Sequence, residues 1–154
     1  MTYQRLTQSA SCACGQSTFK VDGVPIGRFK CHCTICQNLY KKPYADVVMF
    51  WGGAITLSED QPITFRKYRP PPAVRRATCN VCGAPVIGFL RLAPFVQLAF
   101  SQCANLSDQS VLPPPSVHIF YHSRVQDVDD NLPKISGYWS SEMAVTKLLL
   151  SRPS

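Results

Sequence analysis

Most of the chemistry open to this sequence lies in its cysteines, because seven of the eight fall into three tight clusters. The clusters read Cys12-Ala13-Cys14-Gly15, Cys31-His32-Cys33-Thr34-Ile35-Cys36 and Cys79-Asn80-Val81-Cys82-Gly83, with Cys103 standing apart. Cys-x-x-Cys-Gly has the form of a zinc knuckle. Two intervening residues let a tight turn bring both sulfurs to one ion, and the glycine permits the positive φ that points backbone amides at the sulfurs. A knuckle supplies two ligands and a closed tetrahedral site needs four, so Cys12 and Cys14 are the natural partners of Cys79 and Cys82. Residues i and i+2 of a strand share a face, which would aim both sulfurs of Cys12-x-Cys14 at one ion. Such a structural zinc site, typically worth about 10–16 kcal/mol near neutral pH, would be required for folding. Buried free thiols or a disulfide are the alternatives.

The middle cluster differs. Cys31, Cys33 and Cys36 offer three sulfurs within six residues. Three protein ligands with an open fourth position is the pattern of catalytic zinc, free to bind water, polarise a carbonyl or capture a thiolate. Two alternatives stay open. Cys103, His32, His118 or His122 would close the shell into a second structural site, or the thiols would work without metal as a redox cluster. Cys103 ends the apolar run Phe95–Phe100, where a small buried hydrophobe is the default. His32, between two ligands, should face away from them.

Composition agrees with metal binding. The chain has 154 residues, one domain's worth, with 45% hydrophobic and 16% charged residues. Met1–Gln8 lacks the apolar run of a signal peptide, and Val47–Trp51 is far too short to cross a bilayer. That pattern implies a cytoplasmic protein with no membrane partner, in which cysteines bind metal before they pair. Two thiolate-bound zinc ions would lower the formal charge of +7 to roughly +4. This excess suits a small anionic ligand or general solubility and is too weak by itself to argue for nucleic acid, which is not expected as a partner. Arg66, Lys67, Arg69, Arg75 and Arg76 concentrate charge in one segment, either an anion-attracting patch or a solvated strand and loop.

The elements that must position these residues read as β. Ser17–Val21, Ile26–Lys30, Asp46–Trp51, Ile63–Tyr68, Ala84–Leu90, Phe95–Ser101 and Val117–Tyr121 are short runs rich in Val, Ile, Phe and Tyr. Gly, Pro, Asn and Asp punctuate them, and no helix-period segment lies between, so small antiparallel sheets are expected. Pro70-Pro71-Pro72 and Pro113-Pro114-Pro115 read as stiff connectors inside residues 1–154, a single domain. Near the C-terminus, Ser141 is expected to cap a short helix from Glu142 to about Leu150.

Taken together, Cys-x-Cys-Gly, Cys-His-Cys-x-x-Cys and Arg-x-x-Cys-x-x-Cys-Gly resemble the glutathione-dependent formaldehyde-activating enzyme family, of which centromere protein V is a relative. The resemblance runs from about Cys12 to Pro133 and leaves 134–154 as a C-terminal extension. Pro43-Tyr44, Arg76, Leu106 with Asp108, His118-Ile119, and Asp130 with Leu132-Pro133 support it. It implies a mainly β, zinc-stabilised, β-tent-like fold. Cys12, Cys14, Cys79 and Cys82 would hold a structural zinc, and Cys31, Cys33 and Cys36 a labile catalytic one. It also implies a carbon–sulfur lyase activity, condensation of formaldehyde with glutathione to S-(hydroxymethyl)glutathione. Three positions depart from the pattern: Gln37 where arginine is usual, and Lys41 and Ala104 where glycine is.

Three functions therefore compete, the third being a metal-free thiol redox protein that uses Cys31, Cys33 and Cys36. In the first, a small glutathione-like thiol and an aldehyde are joined at the zinc of Cys31, Cys33 and Cys36, with Lys41, Lys42 or the Arg66–Arg76 segment holding substrate carboxylates. In the second, the chain is a non-catalytic, zinc-stabilised binding module for a protein or nucleic-acid partner.

Overall fold

A computed structural model describes residues 3–70 and 73–150. Pro71 and Pro72 of the first proline run, and 151–154 of the C-terminal extension, lie outside the described residues. Among the described residues, ten strands form two sheets. The smaller has the order β1-β2-β5 (Leu6–Ser11, Thr18–Gly23, Ile55–Leu57). The larger has the order β10-β3-β4-β9-β8-β7-β6. Its strands are β3 (Gly27–Cys31), β4 (Ala45–Trp51), β6 (Ile63–Lys67), β7 (Arg75–Cys79), β8 (Pro85–Ala93), β9 (Val96–Gln102) and β10 (His118–Ile119). All pairings are antiparallel except β10 with β3, which is parallel.

The apolar run Val47-Val48-Met49-Phe50 is explained by β4, which lies mid-sheet with both faces covered. Successive side chains of a strand point to opposite faces. Val48 and Phe50 enter a core closed by Leu6, Phe19 and Val21 of the small sheet. Val47 and Met49 enter a second core with Phe29 and Leu98, covered by Ala144, Val145, Leu148 and Leu149 of the C-terminal helix. Met49 and Phe50 are both fully buried.

Four elements depart from the sequence-based expectation. Strands β1, β5 and β7 are additional, and a seven-residue helix, α1 (Thr34–Tyr40), follows Cys33. Two turns are too short to display a helical period, and nothing in the first turn is acidic. The C-terminal helix, α2, spans Tyr138–Leu150, one turn longer than expected at its N-terminus. Ser141 does not cap it. Its N–H bonds the Gly137 carbonyl at 3.1 Å within the helix, and its buried hydroxyl accepts from the Phe120 N–H at 2.8 Å. The serine thus pins α2 to the chain after β10. Among the described residues, no helix is long and apolar enough to cross a membrane.

Candidate functional site

The first cluster forms where the two sheets meet. Cys12 and Cys14 do not lie on a strand face as expected. They sit in a turn after β1, closed by the Gly15 N–H on the Cys12 carbonyl at 3.1 Å, with Gly15 at φ 80°. A turn gives the same convergence because Gly15 can reverse the chain at once. The knuckle follows β7: the Gly83 N–H bonds the Cys79 carbonyl at 2.8 Å, Gly83 has φ 75°, and the Val81 N–H points at the Cys79 sulfur at 3.4 Å. Cys12, Cys14, Cys79 and Cys82 bring their sulfurs within 4.8 Å of one another. The Cys12–Cys14 and Cys14–Cys79 separations are 3.6 and 3.7 Å. Sulfurs at the corners of a tetrahedron around zinc, each 2.3 Å from it, stand about 3.8 Å apart. Burial works against ionising Cys79, yet the Ser17 hydroxyl, followed by the amides of Cys82 and Val81, brings its thiol down to about 6. The donor set and its spacing fit a metal ion of this kind.

The second cluster is built by the β3–α1 junction. Cys31 ends β3, Cys33 caps α1 and Cys36 sits in its first turn. The Cys33 sulfur accepts the Cys36 N–H at 3.3 Å, which is the capping bond of the helix. The three sulfurs again lie within 4.8 Å of one another, with Cys31 and Cys36 buried. Hydrogen bonds from the Cys31 and Cys36 thiols hold Cys33 down at about 3. Cys31 is pushed well up by Cys33 and Cys36. Cys36 accepts from Cys31, but the Cys33 anion and burial together push it up to about 12. One thiolate is therefore stable in this cluster and three are not, unless a cation neutralises them. The donor set thus fits a metal ion.

Among the described residues, no fourth His, Cys, Asp or Glu joins these three sulfurs. Cys103 is buried against Asp46, its sulfur 3.4 Å from Oδ1, and burial pushes its thiol up to about 12. His122 Nδ1 accepts the Gly137 N–H at 2.7 Å. His32 faces away from the sulfurs, as expected, and its Nε2 lies 2.8 Å from His118 Nδ1. His118 Nε2 lies 2.8 Å from Asp130 Oδ2, and Lys134 Nζ donates to Asp130 Oδ1 at 2.7 Å. A carboxylate only accepts, so His118 donates from Nε2 to Asp130, and in its neutral form it receives the His32 Nε2–H at Nδ1. This chain ties the loop between Cys31 and Cys33 to residues 130–134.

A pocket of about 120 Å³ opens onto the three sulfurs. Its walls come from β3, β4, β7, β8, β9, β10, α1 and α2 with the loop before β7, and Arg69, Arg76 and Glu142 are its charged residues. The Arg69 guanidinium lies 4.5 Å from the centre of the Tyr138 ring, 5.9 Å from that of Phe120 and 3.8 Å from the Glu142 carboxylate. Arg76 lowers the Cys33 and Cys36 thiols through space. Of the segment proposed to hold anions, Arg69 and Arg76 reach this pocket; Lys41 and Lys42 do not line it, and Arg75 stacks on Phe65 at 4.5 Å. Sequence reasoning missed Tyr40, Tyr138 and Glu142. Tyr40 follows Cys36 by one helical turn, a signal that required α1 to be recognised.

Residues 7–123 match the glutathione-dependent formaldehyde-activating enzyme family. The chain belongs to that family. A search of curated proteins found no match to the sequence. Family membership brings a formaldehyde-activating, glutathione-related function with small-molecule substrates of those two kinds. The matched segment contains all seven clustered cysteines and stops before α2.

Two departures from the family pattern have structural counterparts. Lys41 sits at φ 55°, ψ 41° just past the end of α1, a left-handed conformation that glycine adopts at no cost. Gln37 donates through Nε2 to the carbonyls of His32 and Ser123, both at 2.7 Å, and so links the cysteine loop to the segment after β10.

Proposed function

We propose that this protein is a zinc-dependent carbon–sulfur lyase-type enzyme that joins a small thiol to an aldehyde. In this reading Cys12, Cys14, Cys79 and Cys82 hold a structural zinc, and Cys31, Cys33 and Cys36 hold a working one. The observation that carries it is the contrast between the clusters: four sulfurs close one site, while three sulfurs floor a pocket with no fourth protein donor among the described residues. Zinc held by three cysteines supplies a vacant coordination position and favours the thiolate form of a thiol that enters it.

The remaining work falls to the chain. Arg76 offsets the negative charge of the thiolate cluster. The apolar walls limit water, so the thiol sulfur meets a carbonyl carbon rather than solvent. Burial holds Tyr40 above the ordinary tyrosine range as a neutral phenol, and it is the donor assigned to the carbonyl oxygen. The thiol adds across the carbonyl: the S–C bond forms, the C=O π bond opens, and the thiol proton ends on oxygen. Reduced cysteines are needed throughout, which goes with a cytoplasmic location.

The test is exchange NMR on zinc-loaded protein with glutathione and formaldehyde. Accelerated interconversion of free thiol and S-hydroxymethyl adduct is expected, with Tyr40→Phe slowing it about 10²-fold or more while zinc content is unchanged. Exchange at the buffer rate with every thiol tried would remove the proposal.

A further inference from the structure

The pocket above the three sulfurs is mainly apolar, and α2, outside the family-matched segment, helps to wall it. Phe29, Val47, Leu90, Phe100, Ile119 and Val145 line it. Formaldehyde, with a single carbon, would leave these surfaces without a partner. A tripeptide such as glutathione is several times too large to enter whole and could present only its sulfur end. The charge is no better matched to a tripeptide's carboxylates, because Arg69 is already paired with Glu142 and covered by the Tyr138 and Phe120 rings, and Arg76, the pocket's other cation, is engaged in offsetting the cysteine thiolates.

From this geometry we infer that the site takes a substrate carrying a branched or compact apolar group of roughly five carbons next to the reacting centre, and that α2 sets this selectivity. An apolar cavity of about 150 Å³ holds benzene, so a pocket of about 120 Å³ suits a slightly smaller group. Val145 reaches the pocket from α2, which is pinned by the Ser141 bond to Phe120. Gly88 admits Val74 on the opposite side, since a Cβ there would come within 2.8 Å of Val74 Cγ1. Both walls are thus set by contacts that leave little room for adjustment.

The inference rests on the thiol–aldehyde reading for its reaction but not for its binding. The apolar group can belong to either reactant, so two substrate pairs separate the sources: 3-methylbutanal with glutathione, and formaldehyde with 3-methylbutane-1-thiol. In both, the S–C bond forms and the thiol proton passes to the former carbonyl oxygen. Binding is read separately with the inert probe 3-methylbutan-1-ol by saturation-transfer NMR.

We expect saturable probe binding and at least a tenfold higher kcat/KM for one five-carbon pair than for formaldehyde with glutathione. Val145→Phe should weaken the probe tenfold or more and shift the ratio of the two kcat/KM values toward formaldehyde with glutathione. Val145→Ala should shift the preference toward larger groups such as benzaldehyde, and melting temperature and zinc content control for folding in both variants. No saturable probe binding, or a preference for formaldehyde with glutathione over both five-carbon pairs, would overturn the inference. Probe binding that Val145→Phe abolishes, with no pair accelerated, would support the apolar site and instead overturn the reaction.

Discussion

Replacing one ligand in each cluster separates the two sites most sharply. The four-sulfur site ties the turn after β1 to the knuckle after β7, with Cys14 and Cys79 65 positions apart. Closing a loop of that length costs about 4 kcal/mol by chain statistics. A structural zinc contributes on the order of 10–16 kcal/mol, against a net stability of about 5–15 kcal/mol for an ordinary domain. Cys82→Ser should therefore leave no cooperative melt, and the small sheet should detach from the core it shares with Val48 and Phe50. The three-sulfur site is local, spanning the end of β3 and the first turn of α1. Cys36→Ser keeps nearly the same volume, and a loss of about 1–2 kcal/mol lowers the melting temperature by about 2–8 °C at this chain length. The assay is native mass spectrometry for bound metal beside a thermal melt. We expect two ions in the wild type and one in folded Cys36→Ser. A Cys36→Ser variant that unfolds as completely as Cys82→Ser, or a Cys82→Ser variant that melts like wild type, would refute the division of roles.

Two further predictions concern the frame of the site. Lys41→Gly should raise the melting temperature by about 1–2 °C, since relief of the left-handed φ of 55° is worth about 1 kcal/mol and the added unfolded-state entropy takes back about half of it; a drop on differential scanning calorimetry would contradict it. Asp46 faces burial, which opposes its ionisation, but the bidentate Arg28 contacts at 2.7 and 2.9 Å hold its carboxyl below the ordinary range. The stability it contributes is complete above the unfolded carboxyl value, near 4, and is lost as pH falls through the lower folded value. Asp46→Asn should cost about 1–3 kcal/mol in urea melts at neutral pH, and the difference from wild type should shrink as the buffer is taken below pH 4; a constant difference would contradict this assignment.

The sequence was most informative where the chemistry is densest. The Cys79-x-x-Cys82-Gly83 spacing predicted its turn and the positive φ of Gly83, because only a few backbone paths bring two sulfurs to one point. The alternation in Thr18–Gly23 and the apolar run in β4 marked strands, since burial imposes a period there. Strand β7 was hidden because Arg75 and Arg76 open it, and its identity depends on pairing with β8 rather than on its own composition. Strand β5 has three residues and α1 seven, too few to display any period. Ser141 illustrates a different limit. A serine before an acidic residue reads as a cap, but tertiary contact with Phe120 claimed its hydroxyl, and no local pattern records that. The pocket walls were invisible for the same reason: Tyr138 and Val145 meet Phe29 and Phe100 only after α2 docks.

The wide sequence separation in one cluster and its absence in the other impose an order during synthesis. At about 5–20 residues per second, the ribosome needs roughly 3–13 s to bring Cys79 out after Cys14, and Cys12 and Cys14 spend that interval as bare thiols. Cys31, Cys33 and Cys36 emerge within about a second of one another. The nascent chain therefore presents a complete three-thiol set well before its four-thiol set exists. On the proposed reading, the three-sulfur site would meet metal first, and the four-sulfur site that joins the two sheets would be completed last.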